Sequence, residues 1–310
     1  CALPISATSG PGVALKAEAL GLAIIAELPL VIINVQRGGP STGLPTKTEQ
    51  SDLLQAMYGR NGEAPMPVIA SATPGDCFYA AYEACRIAVK YMTPVMLLTD
   101  GYLANGSEPW QVPQLDELKD FDVSFADESN LTDGEFMAYT RDKKTLARPW
   151  AIPGTEGLEH RIGGIEKEDL TGNVSYDPDN HHYMLETRAK KVDTVAQDFG
   201  PTEIFGDAHG DLLILSWGGT KGSCRSAAEA LQADGQKVSH VHLRWVHPFP
   251  NDLGEILIKF KNVLMPEINY GQLIKMVRAE FLIDAKGLNQ VRGKPISSSD
   301  IQQAAKDLIG

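Results

Sequence analysis

The segment QRGGPSTGLPTKTEQ, residues 36–50, is the most informative stretch of the chain. It follows the apolar run 28–35, which carries Pro29 near its start and predicts a buried strand. In open α/β sheets, ligands bind beyond the carboxyl ends of parallel strands. A strand that ends in an arginine, two glycines and several hydroxyl side chains predicts an anion-binding loop. The same composition also fits an ordinary surface turn.

Strand and helix patterns alternate on both sides of this segment. Apolar runs predict strands at 5–7, 30–35, 68–72 and 94–99, and helical spacing predicts helices at 13–27, 50–58 and 74–91. Strands that are apolar on both faces are typical of a parallel sheet covered by helices. Residues 104–202 are irregular, with a turn at 176–180 and a helix near 184–198. We expect them to form a connecting segment over the first domain.

Regular alternation returns in the last third of the chain. Strands are predicted at 211–217, 238–243 and 262–266, and helices at 223–234, 251–259 and 271–282. A chain of 310 residues is long for one core. We therefore predict two α/β domains, at 1–202 and 203–310.

Charge and hydropathy exclude two classes of partner. The net charge of −12 argues against nucleic acid, because phosphate binding requires a basic face. The most apolar window, 17–35, is interrupted by Glu18, Glu27 and Pro29. A membrane span needs about twenty nearly uninterrupted apolar residues, so we predict none.

The cysteines and the amino terminus indicate the compartment. Cys1, Cys77, Cys85 and Cys224 form no C-x-x-C pair, so we expect free thiols in a reducing cytoplasm and no iron–sulfur cluster in this chain. The chain begins without methionine and without a basic leader region, which argues against a signal peptide. We expect it to begin within a domain whose upstream part is missing.

Five motifs together carry a family resemblance. TSGPG at 8–12 and the segment 36–50 are followed by LLTD at 97–100, GLEH at 157–160 and PEINYGQL at 266–273. In this order they resemble the alpha subunit of 2-oxoacid:ferredoxin oxidoreductases, above all the 2-oxoglutarate branch. The resemblance covers nearly the whole chain. It implies a pyrimidine-side thiamine diphosphate domain followed by a transketolase C-terminal-like domain.

The resemblance also implies roles for individual residues. Arg37 would be the catalytic residue that binds the carboxylate of the 2-oxoacid. The other substrate-binding residues would be Ser41, Thr42, Thr46 and Lys47, the last two at the distal end of the substrate. The cofactor side would be formed by Thr8, Ser9 and Gly10, although the residues alone favour a helix N-cap over a phosphate-binding turn. A hydroxyl with a cation at the distal end would favour a second carboxylate over pyruvate.

Several family motifs are absent and imply a partner. The chain lacks the pyrimidine-contacting glutamate and the Tyr-Pro-Ile-Thr-Pro motif, both of which would fall upstream of Cys1. It also lacks the Gly-Asp-Gly motif for Mg-diphosphate and the cluster cysteines, which belong to the beta subunit in the family. The resemblance therefore implies thiamine diphosphate with Mg²⁺ shared with a beta subunit, which also carries a 4Fe–4S cluster. A gamma domain or subunit stays open.

The implied reaction is coenzyme A-dependent oxidative decarboxylation of 2-oxoglutarate to succinyl-CoA. Electrons would reach ferredoxin through the partner, because ferredoxins are generally acidic and this chain is acidic too. Two alternatives remain open. One is another thiamine-dependent 2-oxoacid enzyme, acting on pyruvate or a branched-chain acid. The other is a non-catalytic assembly subunit.

Three further motifs have structural explanations that we prefer. The stretch 218–222 lacks phosphate-loop spacing and predicts a turn that opens a helix. His240, His242 and His247 have no carboxylate or cysteine at a metal-binding spacing, so we expect no metal site. Glu267 and Asn269 would either touch a partner or cap the helix that follows.

Overall fold

The computed structural model describes residues 3–121 and 123–310, so the predicted free thiol Cys1 lies outside the described residues. The strands are β1 (Ile5–Thr8), β2 (Leu30–Gln36), β3 (Val68–Ala70), β4 (Pro94–Asp100), β5 (Leu131–Thr132), β6 (Glu135–Phe136), β7 (Ile204–Phe205), β8 (Gly210–Trp217), β9 (Val238–Leu243), β10 (Trp245–His247), β11 (Phe260–Glu267) and β12 (Lys286–Asn289). The helices are α1 (Gly10–Leu15), α2 (Ala17–Ile25), α3 (Leu53–Tyr58), α4 (Asp76–Tyr91), α5 (Gly101–Asn105), α6 (Pro178–Thr194), α7 (Lys221–Ala233), α8 (Leu253–Leu257), α9 (Gln272–Phe281) and α10 (Ser298–Ile309).

The first sheet has the strand order β1-β2-β4-β3-β10. Its first four strands are parallel, and β10 pairs antiparallel with β3. The register of β2 on β4 runs to the pair Gln36 and Asp100, so both strands end at the same level. The loops after β1, β2 and β4 therefore meet at one edge of the sheet.

The second sheet has the order β12-β11-β8-β9-β7, with β7 antiparallel and the other strands parallel. Strand β10 comes from the second half of the chain but completes the first sheet. The two halves are thus joined by backbone pairing, and the predicted boundary between residues 202 and 203 stays a prediction. Trp245 of β10 also stacks on Phe199, with ring centroids 4.7 Å apart.

One continuous apolar core connects the two sheets. Val68, Met96 and Leu98 of the first sheet belong to the same buried cluster as Leu213 and Trp217 of the second. All five side chains are essentially inaccessible to solvent. Burial on this scale fixes the carboxyl edge of the second sheet against the loops of the first.

The helices differ from the predicted ones at several ends. The predicted helix 13–27 begins at Gly10 and is divided at Lys16, and the helix predicted from residue 50 begins at Leu53. The predicted turn 176–180 contains the start of α6, where the Asp177 side chain accepts a hydrogen bond from Asp179 N at 2.9 Å. Strands β10 and β12 and helix α10 were not predicted, and β10 is too short for a periodic pattern.

A buried ionic cluster fastens the irregular segment to the first sheet. Glu27, only 1% exposed, forms ion pairs with Arg141 and with Lys191 of α6. Lys191 Nζ also donates to Met92 O at 2.9 Å. Arg148 donates through Nε to the carbonyl oxygens of Ala26 and Glu27, at 3.2 and 3.1 Å. These contacts hold residues 141–148 against the amino ends of β2 and β4, and we call this set the Glu27 cluster.

Across residues 3–121 and 123–310, every helix is too short or too polar to cross a membrane.

Candidate functional site

A cavity of about 420 Å³ lies at the carboxyl edge of the first sheet. The parallel register of β1 on β2, with Thr8 opposite Asn34, brings the loop after β1 beside the loop after β2. The cavity is lined by Gly10, Pro11, Ala14, Leu15, Arg37, Gly39, Pro40, Ser41, Asp52 and Gln55. Its polar side chains are Arg37, Ser41, Asp52 and Gln55, of which Arg37 is the group suited to an anionic ligand.

Arg37 is the cation of this cavity. Its Nε is buried and has no hydrogen-bond partner among the described residues. Its backbone oxygen accepts a hydrogen bond from Ser51 Oγ at 2.8 Å, which holds the residue at the end of β2. In the described part of the chain no carboxylate lies within 4.0 Å of its guanidinium. A guanidinium that lines a cavity and has no carboxylate partner is suited to bind a carboxylate.

Asp52 shares the cavity with Arg37. Its carboxylate accepts hydrogen bonds from Asn34 Nδ2 at 3.1 Å and from Ser51 Oγ at 2.8 Å. Burial raises the pKa of Asp52, against the effect of these two hydrogen bonds. A carboxyl group whose charge is disfavoured is compatible with an anion bound nearby. Sequence reasoning missed this residue, because nothing local distinguishes it from a helix N-cap.

The loop after Arg37 folds back on itself. Gly38 N donates to Lys47 O and Leu44 N donates to Gly38 O, both at 2.9 Å. Gly43 has φ +48° and packs on the Gly38 carbonyl, where an added Cβ would lie 1.8 Å from the oxygen. Glycine is therefore required at this position. The fold of the loop leaves residues 41–47 exposed to solvent.

Gln50 docks the end of this loop on the second sheet. It is fully buried, and its Nε2 donates to Trp217 O at 2.7 Å. Its Oε1 accepts from Ile268 N at 3.0 Å, and its backbone oxygen accepts from Asn269 Nδ2 at 2.8 Å. Residue 50 thus bridges the carboxyl ends of β8 and β11. The sequence contains no signal for this role, since both partners are more than 160 positions away.

The structure groups some of the predicted site residues and separates others. Gly10, Arg37 and Ser41 line the cavity. Thr8 and Ser9 are half-buried at the end of β1, next to it. Thr42, Thr46 and Lys47 are exposed and lie outside the cavity lining. The role predicted for each residue stays a prediction.

The motifs with structural explanations are well accounted for by their contacts. Residues 218–220 form a tight turn before α7, as predicted for 218–222. Glu267 is completely buried and accepts hydrogen bonds from Leu273 N at 2.9 Å and Ile274 N at 3.2 Å, so it caps α9. Of the two functions left open for Glu267, these contacts support the cap.

His240 and His242 both contact Ser216 Oγ, through Nε2 at 2.7 Å and Nδ1 at 2.8 Å respectively. Burial lowers the pKa of His240 to about 4, so its ring is neutral at pH 7. Among the described residues no group of three histidine, cysteine or carboxylate side chains could hold a metal ion.

Gly10→Ala should destabilise the protein by about 1–3 kcal/mol through overpacking. An added Cβ would lie 2.8 Å from both carboxylate oxygens of Asp52, which burial and two hydrogen bonds hold in place. Denaturant unfolding measures the loss. Gly39→Ala is the matched control, because it lines the same cavity and its Cβ would meet no atom within 4 Å. Equal stability of both variants would contradict the packing argument.

Solved structures define the class of the protein. A 2-oxoglutarate:ferredoxin oxidoreductase from Magnetococcus marinus, with 2-oxoglutarate, coenzyme A and succinyl-CoA bound, matches with a TM-score of 0.91 and 34% identity, over 99% of this chain and 53% of that one. A split-gene transketolase matches with a TM-score of 0.51 and 15% identity, over 99% and 76%, which is a likeness of fold alone. The fold is therefore the predicted one, a thiamine diphosphate-binding domain followed by a transketolase-like domain.

Sequence comparisons define the family. The model "Pyruvate flavodoxin/ferredoxin oxidoreductase, thiamine diP-bdg" matches residues 2–176, and "Pyruvate:ferredoxin oxidoreductase core domain II" matches 210–301. The 2-oxoglutarate oxidoreductase subunit KorA of Mycobacterium tuberculosis is 50% identical over 97% of this chain and 45% of its own length. The 2-oxoglutarate synthase subunit KorA of Archaeoglobus fulgidus is 32% identical over 93% and 74%.

The chain belongs to the 2-oxoacid:ferredoxin oxidoreductase family and is similar to its alpha subunits of the 2-oxoglutarate type. The predicted resemblance is confirmed. The chain spans about half the length of the Mycobacterium relative, 45% of it.

Proposed function

We propose that the chain is the alpha-subunit part of an enzyme that oxidatively decarboxylates 2-oxoglutarate to succinyl-CoA, with coenzyme A as co-substrate and ferredoxin as electron acceptor. The observation that carries the proposal is Arg37, which lines a cavity beside the Gly10 loop and whose Nε has no hydrogen-bond partner among the described residues. The names of the similar proteins, two of which specify 2-oxoglutarate, support this substrate.

In the proposed reaction the chain's own residues bind and orient the substrate. The Arg37 guanidinium holds the carboxylate that is lost as CO₂, with Ser41 Oγ as a further polar contact on the cavity wall. Asp52 lines the same cavity, where burial raises its pKa and two hydrogen bonds oppose that rise. Fixing the carboxylate orients the adjacent keto carbon, which is a positioning contribution to catalysis.

The residues at the cavity fit one edge of a thiamine diphosphate site. Gly10 lines the cavity, and Thr8 and Ser9 add hydroxyls next to it. When bound, thiamine diphosphate supplies the carbanion that attacks the keto carbon. We assign Mg²⁺, the diphosphate and the 4Fe–4S cluster to a beta subunit, because the resemblance places the Gly-Asp-Gly motif and the cluster cysteines there. A gamma domain and a cytoplasmic location stay predictions.

Thr46 and Lys47 are proposed to select for the distal carboxylate of 2-oxoglutarate. Both are exposed on the loop 38–50, whose end is fixed by Gln50, so they project from a rigid base toward whatever covers this edge. Pyruvate has no distal carboxylate, so it would leave the Thr46 hydroxyl and the Lys47 ammonium without partners. The site would therefore discriminate against pyruvate.

The test is viologen-coupled oxidation of 2-oxoglutarate, pyruvate and 2-oxoisovalerate by the complex assembled with its beta partner, thiamine diphosphate and coenzyme A. We expect a strong preference for 2-oxoglutarate, which Thr46→Ala should reduce by roughly tenfold. Thr132→Ala, an exposed threonine of β5, is the matched control and should keep the preference. A preference for pyruvate or 2-oxoisovalerate would overturn the specificity, and no turnover on any acid would favour the assembly-subunit alternative.

A further inference from the structure

A second and larger cavity lies at the opposite edge of the first sheet. Its volume is about 750 Å³, within the range of sites for small ligands. It is formed by the end of α4, by residues 124–150 of the irregular segment and by residues 197–198. Met92 in its wall immediately precedes β4, so this cavity lies at the amino ends of the strands and the Arg37 cavity lies at their carboxyl ends.

Two buried guanidinium groups line this cavity. Arg148 is 3% exposed, and its donors reach only backbone oxygens, those of Ala26, Glu27 and Pro149. No carboxylate in the described residues lies within 4.0 Å of its guanidinium. The Arg141 side chain is 8% exposed and pairs with Glu27, but its Nε has no hydrogen-bond partner. Both groups therefore carry buried positive charge that is not fully compensated.

The surrounding carboxylates are already engaged. Glu27 is shared between Arg141 and Lys191, and Asp169 adds a weaker attraction to Arg141. Glu166 contacts Arg188 and His181. Together with Arg148 and Lys167, the buried region holds the cations Arg141, Arg148, Lys167, Arg188 and Lys191 and the carboxylates Glu27, Glu166 and Asp169.

The remaining acids of the cavity wall are occupied as well. Asp142 accepts hydrogen bonds from Lys144 N at 3.0 Å and Thr145 N at 2.7 Å. Asp198 forms ion pairs with Lys90 and Arg86. The cavity thus has a net positive wall, and Lys144 at its exposed side adds one further cation. A buried excess of positive charge next to an open cavity is stabilised by a bound anion.

We propose that this cavity binds a small anion with two or more negative charges, such as a diphosphate group. The exposed Lys144 ammonium provides a charge-assisted donor for such a group, and Arg141 and Arg148 add positive charge to the wall, with Arg141 Nε unpartnered. Trp150 and Phe125 both line the cavity, with ring centroids 5.2 Å apart and ring planes inclined at 56°, and offer aromatic surface to a ring attached to the anion. The site is separate from the Arg37 cavity, and the inference does not depend on the proposed function.

The experiment is titration calorimetry of the assembled complex with pyrophosphate, ADP and adenosine, at saturating thiamine diphosphate, Mg²⁺ and coenzyme A so that those sites are filled. We expect pyrophosphate and ADP to bind, with affinity that falls as salt rises, and adenosine not to bind. ADP should bind more tightly than pyrophosphate if the aromatic wall contacts its ring. No heat from pyrophosphate or ADP at millimolar concentration would overturn the proposal.

Variants of two neighbouring lysines test whether pyrophosphate binds in this cavity. Lys144 lines the cavity, whereas Lys143 is equally exposed and does not. Lys144→Gln should weaken pyrophosphate binding by about threefold and Lys143→Gln should leave it unchanged. Equal weakening by both would show non-specific attraction and would overturn the site.

Arg148→Gln should weaken binding by more than about tenfold, because it removes charged donors. The lysine pair keeps the proposal testable if this buried variant does not fold.

Discussion

Arg37→Lys should lower kcat/KM for 2-oxoglutarate by about a hundredfold while leaving the unfolding temperature nearly unchanged. Lysine keeps the charge but loses the planar fork, and each charge-assisted hydrogen bond contributes about 1.5–3 kcal/mol. Stability should hold, because the guanidinium has no carboxylate within 4.0 Å in the described residues and its Nε is unpartnered. Initial-rate kinetics on the assembled complex, with thermal unfolding in parallel, measures both effects.

The loss should be common to all 2-oxoacids, because each carries the carboxylate that Arg37 is proposed to bind. This distinguishes Arg37 from Thr46, whose replacement should affect 2-oxoglutarate alone. Arg161→Lys is the matched control, since Arg161 is an exposed arginine of the irregular segment. Unchanged KM and turnover in Arg37→Lys would show that the carboxylate assignment is wrong.

Glu27→Gln should destabilise the protein by about 3–5 kcal/mol, the usual cost of removing one partner of a buried ion pair. Without the carboxylate, the Arg141 side chain, 8% exposed, would remain buried and charged, and the Lys191 side chain, 2% exposed, would lose the partner that raises its pKa against burial. The irregular segment, which these contacts hold to the first sheet, should become sensitive to proteolysis. Denaturant unfolding measures the loss, and Glu18→Gln, an exposed glutamate of α2, is the control that should leave stability intact.

We expect the Glu27 cluster to account for part of the loss of stability at low pH. Burial alone would raise the pKa of Glu27, but the attraction of Lys191 and Arg141 outweighs it and lowers the pKa from 4.5 to about 2. As the pH falls, the unfolded chain therefore takes up this proton first. The contribution of Glu27 is fully present above pH 4.5 and is lost between pH 4.5 and 2.

The free energy of unfolding should accordingly fall less steeply in Glu27→Gln than in the wild type across this window. His240 affects the free energy of unfolding mainly at higher pH, because burial lowers its pKa from 6.5 to about 4. Its contribution can therefore be separated from that of Glu27. Identical slopes below pH 4.5 in both proteins would contradict the assignment of the low pKa to Glu27.

The sequence by itself determined the alternation of strands and helices, the position of Arg37 at the end of a strand and the family. These features are local. The apolar composition of a run such as 30–35 predicts that the strand is buried. A glycine such as Gly43 indicates a backbone conformation that other residues avoid. The meeting of the loops after β1 and β2 follows from the parallel arrangement that those patterns predict.

Only the tertiary structure decided which side chains complete the site and which hold it in place. Gln50 has its partners on β8 and just beyond β11, Glu27 has its partners at 141 and 191, and β10 crosses into the first sheet. Each of these contacts joins residues more than 100 positions apart, and nothing in the local sequence of either residue encodes the other. Thr46 and Lys47 lie outside the cavity for a different reason, because hydrogen bonds of Gly38 with Leu44 and Lys47 fold the loop back on itself.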